Sequence, residues 1–263
     1  MIISRTISTA FLGLCLTACS GLSSPEMPAV SPLNPATAAL NSTATWTETF
    51  DTFDSARWIR SSWGGFWQTP ALTGSFDPTL ATVKGGHLLL TLNVQPCGAG
   101  LCARAAEVQS TQTFGFGRYT YRFRAASTSA NPSKSGKVLS GSISGAFSYV
   151  NDSATEIDLE IEGNRPKTLN TAVWNTVNSK SYGVLPTGVT FGQTFQTLTY
   201  EWRPDRITYF LNGSKIWETT RDIPQQAAHI MLNVWPTNSA SWGGLATPGT
   251  VYMLVDSVQF QAF

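Results

Sequence analysis

The sequence predicts an all-β chain folded as a sandwich, and three observations predict it. Segments alternating apolar and polar residues recur about every 8–15 residues, the spacing of short strands joined by turns. Turn formers are plentiful, with 22 Gly and 14 Pro among 263 residues. Apolar spacing of the helical kind is almost absent. A charged fraction of 13% and a net charge of +1 give no basic footprint for nucleic acid. Nine Trp, seven Tyr and fourteen Phe suit a core and also suit sugar binding.

The chain opens on a targeting pattern. Arg5 precedes the apolar run Ile7 to Leu16, too short for a comfortable membrane span. Leu16-Thr17-Ala18-Cys19 resembles a bacterial lipobox, in which cleavage precedes a Cys that is then lipidated. An ordinary signal peptide cut near Ala18 is the alternative, but Leu16 is a poor small-residue site. The expectation is a lipoprotein-type signal peptide over 1–18 and an exported protein held to a membrane of the cell envelope through Cys19. If the lipobox fails, the protein is secreted. Residues 19–45, with Pro25, Pro28, Pro32 and Pro35, read as a flexible Ser/Pro/Ala/Thr-rich linker. Residues 46–263 read as one domain. Of the four cysteines, Cys15 leaves with the leader and Cys19 is the anchor. Cys97 and Cys102 then form a small-loop disulfide in an exported chain. A metal site needs more ligands than this pair, and His87 and His229 are the only histidines.

Strand signals follow in order. Thr45 to Phe53 alternates, His87 to Val94 follows the Gly85-Gly86 turn, and Arg104 to Thr113 alternates again. Arg118 to Ala125 places Tyr119, Tyr121 and Phe123 on one face and Arg118, Thr120, Arg122 and Arg124 on the other. These arginines could face solvent or lie beside the acidic strand Thr155 to Gly163. Ile207 to Trp217 carries Asn212-Gly213, the dipeptide of tight type I′ hairpins. Ala228 to Trp235 and Val251 to Phe263 close the chain as strands. Trp46, Trp58, Trp202 and Trp217 read as core or surface without a specific role.

One strand stands apart. Thr155 to Gly163 reads T-E-I-D-L-E-I-E-G, with Glu156, Asp158, Glu160 and Glu162 alternating with Ile157, Leu159 and Ile161. Four of the chain's 16 acidic residues fall here, with no Lys or Arg between them. Like charges on one strand face repel, so a solvated outer strand is the poorer explanation. Residues i and i+4 on a strand lie roughly 13 Å apart at Cα. Side chains leaning together could close the carboxyls to about 5–6 Å, and a retaining glycosidase pair needs about 5–5.5 Å. Asp158 between them could hold a proton or a hydrogen bond and keep their pKa values apart.

E-I-D-L-E resembles the catalytic signature of glycoside hydrolase family 16, in its unbulged form, Glu-x-Asp-x-Glu. Further stretches share the resemblance: Phe114 to Tyr119, Ser144 to Tyr149, Trp174-Asn175, Thr197 to Pro204 with the hairpin after it, and Met231 to Trp235. It spans nearly all of Phe50 to Phe263. It implies a concanavalin A-like jelly-roll β-sandwich with a substrate cleft on the concave sheet. The catalytic residues it implies are Glu156 as nucleophile, Asp158 assisting, and Glu160 as acid/base. Glu107, Gln109, Phe147, Tyr149, Trp174, Asn233 and Trp235 would contact the polysaccharide. Alternation with Val234 sets Asn233 apart from Trp235, so the strand would have to twist for both to reach sugar. No cofactor is implied for catalysis. A structural calcium is implied, with Gly86 and Asp256 as ligands, although Asp256 could equally cap a turn.

Three departures bear on substrate choice: Gln109 where the family carries Arg, Ala154-Thr155 before the acids, and Glu162 in place of an apolar residue. Glu162→Gln is expected to matter little. The expected function is a monomeric, retaining, endo-acting hydrolase of mixed-linkage β-1,3-1,4-glucan or a related β-glucan. A transglycosylase on β-glucan or xyloglucan is the rival reaction. A carbohydrate-binding module is the rival class, and it would not need all three acids.

Overall fold

In the computed structural model, residues 45–69, 71–150, 153–176 and 179–263 are described, all inside one compact unit, Ala39–Phe263. The expected leader, Cys19 and linker residues up to Ala44 lie outside them.

Two antiparallel sheets carry the chain. The first runs, in spatial order, β2 (Trp58–Arg60), β7 (Gly100–Phe114), β16 (Ala228–Pro236), β9 (Ser142–Val150), β10 (Thr155–Glu162), β11 (Thr168–Thr176) and β12 (Ser179–Pro186). The second runs β15 (Ser214–Thr219), β14 (Arg206–Leu211), β13 (Gln196–Arg203), β8 (Gly117–Ser127), β17 (Gly249–Ala262) and β6 (Leu88–Cys97). In it β1 (Thr45–Glu48) lies beside β17 and β5 (Ala81–Val83) beside β6. A hairpin of β3 (Gly64–Thr69) and β4 (Leu72–Phe76) adds to this sheet through a parallel pairing of β4 with the first part of β7. β7 belongs to both sheets. Residues up to Ala105 pair with β4 and β6, and residues from Ala106 onward pair with β16 and β2. That crossing closes the sandwich at one corner, as in the expected jelly roll.

The core explains the alternation. Tyr119, Tyr121 and Phe123 of β8 are at most 1% exposed, and Trp202, Tyr200 and Tyr209 are fully buried beside them. Buried phenols need partners, and theirs reach the first sheet. Tyr121 and Tyr200 hydroxyls lie 3.2 Å apart, Tyr200 meets Ser148 of β9, and Tyr209 donates to the Ala172 carbonyl of β11 at 3.2 Å. The opposite face of β8 does not approach the acidic strand. Arg118 pairs with Glu201 and Arg122 with Asp256, both half exposed. Arg124 is buried, donating to the carbonyls of Ser129, Asn131 and Lys134. Trp58 joins Trp202 in the core, while Trp46 and Trp217 pack partly buried against it.

The hairpin turn falls at Asn212 and Gly213, with φ of 50° and 83°, the positive pair a type I′ turn requires. Cys97 and Cys102 are bonded, with Cα atoms 5.6 Å apart, across the β6–β7 turn. The first strand is shorter than its alternation. It ends at Glu48 because the backbone turns at Phe50 (φ 54°), whose amide donates to the Glu48 carboxylate at 2.9 Å.

Candidate active site

Ile157, Leu159 and Ile161 of β10 are at most 2% exposed and point into the core. The period of two therefore turns Glu156, Asp158 and Glu160 to the opposite face. Neighbouring strands complete rows across that face. Glu156 lies between Trp174 of β11 and Tyr149 of β9, Asp158 between Ala172 and Phe147, and Glu160 between Asn170 and Gly145. Beyond β9, β16 sets Met231 opposite Phe147, Asn233 opposite Gly145 and Trp235 opposite Ile143. β7 then sets Glu107 opposite Asn233 and Gln109 opposite Met231. All seven expected sugar-contacting residues thus share one sheet face with the acids. Asn233 and Trp235 are two residues apart and share it without any twist, so the expected need for one was mistaken. Lys180 of β12 sits over the Trp174 ring, 4.5 Å from its centroid.

The acids differ in their surroundings. Burial, then the charges of Glu156 and Glu162, push the Glu160 carboxyl up to about 8. Burial also raises Glu156, opposed by a hydrogen bond from the Ser153 hydroxyl to its Oε2. Glu162 thus adds to the repulsion on Glu160. Glu162 itself is fully buried. Its Oε1 accepts from Arg165 and from Asn170 Nδ2 at 2.8 Å, and its Oε2 accepts from the Gly243 amide at 2.6 Å. A minor role for it does not fit three donors on one buried carboxylate.

Glu107, 3% exposed, anchors the far side of the face. It accepts from Ser61 Oγ at 2.7 Å, Trp63 Nε1 at 3.2 Å and Asn233 Nδ2 at 3.0 Å, while burial pushes its carboxyl up. Asn233 Oδ1 then hangs over Gly145, where a Cβ would come within 2.5 Å of it. That position of the floor must be glycine. The Oδ1 atoms of Asn233 and Asn170 are buried without a hydrogen-bond partner, at the two ends of the row Asn170, Glu160, Gly145 and Asn233.

Sequence reading missed two members of this face. Trp63, 49% exposed and edge-on to Phe76 at 4.8 Å, comes from the loop before β3, where no alternation marks it. Asn170 had a signal: it is four residues before Trp174 on one strand and so shares its face.

Together the site holds one carboxyl that keeps its proton at neutral pH, a second that accepts a hydroxyl donor, and aromatic surfaces in the same rows. The profile of "Glycosyl hydrolases family 16" matches residues 73–250, more than half of the chain. The chain belongs to glycosyl hydrolase family 16. A relative named "Beta-glucanase" from Acetivibrio thermocellus is 30% identical over 213 residues, covering 79% of this chain and 59% of the relative. The chain therefore spans under two thirds of that relative's length. Among solved structures, a "prokaryotic beta-1,3-1,4-glucanase (lichenase)" from a mouse hindgut metagenome aligns with TM-score 0.70 at 20% identity, covering 83% of this chain and 99% of that one. The Bacillus licheniformis β-glucanase gives TM-score 0.70 at 18% identity, covering 85% and 100%. At these identities the structures show the jelly-roll fold.

The calcium that the family resemblance implies does not fit the residues present. The Asp256 carboxylate faces Arg122 Nη1 at 3.1 Å and His87 Nε2 at 3.6 Å. Gly86 lies in the turn beside His87, at φ 71°. A guanidinium already neutralises the single carboxylate that a hard cation would need. Among the described residues, no cluster of three or more His, Cys, Asp or Glu could hold a metal.

Proposed function

We propose that the protein is a retaining, endo-acting β-glucan hydrolase whose substrate is mixed-linkage β-1,3-1,4-glucan. One observation carries the reading: Glu156 and Glu160 share a strand face, where burial and the charges of Glu156 and Glu162 push the Glu160 carboxyl up to about 8 while a hydrogen bond from Ser153 opposes the rise of Glu156. Glu156, hydrogen-bonded by Ser153, attacks the anomeric carbon. Glu160 protonates the leaving oxygen and then activates water. Asp158, between the two, assists. Trp174, Tyr149, Phe147, Trp63 and Trp235 supply apolar platforms for successive sugars, and Asn233, Asn170, Glu107 and Gln109 meet hydroxyls. The unbulged Glu-x-Asp-x-Glu motif and the β-glucanase relatives favour the mixed-linkage substrate.

We also propose that residues 1–18 are a leader, Cys19 a lipid anchor, 19–45 a tether and 46–263 the catalytic domain of an envelope protein. The intact mass of the mature N-terminus tests the anchor, and an unmodified chain starting elsewhere rejects it. Reducing-end release from mixed-linkage glucan, xyloglucan, laminarin, agarose and carboxymethylcellulose tests the activity. NMR of the first-formed product should show the β-anomer, and the α-anomer appearing first would rule out double displacement. Tight retention on one polymer with cleavage of none would make the protein a binding module.

A further inference from the structure

We propose that Glu162 is a positioning residue that fixes the loop 237–247 and Asn170 around Glu160 through its buried, multiply hydrogen-bonded carboxylate. The inference rests on the reading of Glu160 as the acid/base.

The alternation of β10 carries Glu162 to the end of the row of acids, where it is sealed from solvent. A buried carboxylate persists only with donors, and Glu162 takes one from each of three elements. Arg165 comes from the β10–β11 turn, Asn170 from β11, and the Gly243 amide from the loop between β16 and β17. That loop leaves β16 just after Trp235 and is folded back on itself, with Ser239 bridged to Trp242 and Gly244. It cannot shift its anchor by substitution. A Cβ on Gly243 (φ 71°) would meet Thr237 Cγ2 at 2.1 Å, and one on Gly244 (φ 88°) would meet Ser140 Oγ at 2.1 Å. Asn170, the second donor, stands directly opposite Glu160 in the pairing, and Glu162 holds its amide so that Oδ1 stays without a protein partner. One carboxylate therefore fixes the end of the cleft near Trp235 and the acceptor beside Glu160.

The same charge acts on Glu160, two residues away. The groups facing Glu160 are few. Glu156, Asp158 and Glu162 lie on its own strand, with Asn170, Ala172 and Trp174 on β11 and Gly145, Phe147 and Tyr149 on β9. His229 lies one strand further, on β16, and Glu107 two strands further, on β7. Two cations border this group: Arg165, which pairs with Glu162, and Lys180 of β12, which lies over the Trp174 ring. Glu162 pushes the proton onto Glu160 and Arg165 moderates that push. The two residues should therefore move the alkaline limb of the activity profile in opposite directions.

The test compares Glu162→Gln and Arg165→Gln with wild type, measuring kcat/KM on mixed-linkage glucan against pH and amide exchange of the peptide containing Gly243. Glu162→Gln should lower the alkaline limb by roughly half to one pH unit, the effect of one partly screened charge about 7 Å away. It should also speed exchange at Gly243. Arg165→Gln should raise the limb. Limbs that stay put, or move the same way in both variants, overturn the inference, as does unchanged exchange at Gly243 in Glu162→Gln. If Glu162→Gln does not fold, Arg165→Gln decides alone, since Arg165 is 40% exposed at its side chain. An upward limb supports the inference, and any other result overturns it. Glu160→Ala separates the two levels. If it still cleaves polysaccharide, the acid/base reading fails, whereas lost cleavage with unmoved limbs defeats only the role of Glu162.

Discussion

Glu160→Gln should stabilise the protein at alkaline pH while removing polysaccharide cleavage. In the folded chain the Glu160 carboxyl is raised from 4.5 to about 8. A folded pKa above the unfolded one means that stability is fully present below about pH 4.5 and is lost as pH rises through about 8. Each pKa unit corresponds to about 1.4 kcal/mol, so the full rise sets a ceiling of about 5 kcal/mol. Discounting for solvent reaching an open cleft leaves roughly 3 kcal/mol. Gln keeps the shape and cannot ionise, so the variant avoids that loss and also spares Glu156 a charged neighbour. For a domain of this size roughly 3 kcal/mol corresponds to a Tm difference of about 6–12 °C. The assay is thermal unfolding of wild type and Glu160→Gln from pH 4 to pH 9. The two curves should run together near pH 4 and diverge steadily above pH 5, with the variant higher. Parallel curves across the range would refute the claim that Glu160 carries a proton through neutral pH.

Other outcomes follow from the same geometry. Asn233→Ala removes one of three donors to buried Glu107, and should cost about 1–3 kcal/mol of stability and raise KM, read by urea unfolding and initial rates. Trp63→Ala should raise KM for long glucans several-fold and leave kcat on short substrates nearly unchanged, because the ring is held by Glu107 on β7, three strands from Glu156 on β10. Because Arg122 already holds Asp256, adding calcium or EDTA should move Tm by less than about 1 °C, checked by calorimetry. Reducing Cys97–Cys102 closes no long loop, so the reduced protein should lose at most about 3 kcal/mol in denaturant titration.

The acidic strand was legible because one chemistry wrote both of its faces. Ile157, Leu159 and Ile161 declare the core, and the same period assigns Glu156, Asp158 and Glu160 to the other side. The Asn212-Gly213 turn was legible for a similar local reason, since only a few dipeptides tolerate two positive φ values. The short strands β2 to β5 were not. Trp58–Arg60 and Ala81–Val83 are three residues each, too short for alternation to register.

What the sequence determined by itself was therefore periodic: an all-β chain, an acid-bearing strand, and aromatics on strands that could flank it. Tertiary structure decided everything that depends on which strand lies beside which. Pairing across β9, β16 and β7 brings Glu107 to Asn233 over 126 residues of separation and lets Trp63 join them. Pairing also decides charge. Glu162 reads in sequence as a fourth acid in the row whose replacement should matter little, yet Arg165, Asn170 and Gly243 enclose it. Asp256 reads as a calcium ligand, yet β8 lies beside β17 and delivers Arg122 to it. A strand's own period can say which way a side chain points, but the cost of burying its charge depends on donors that arrive from elsewhere in the chain.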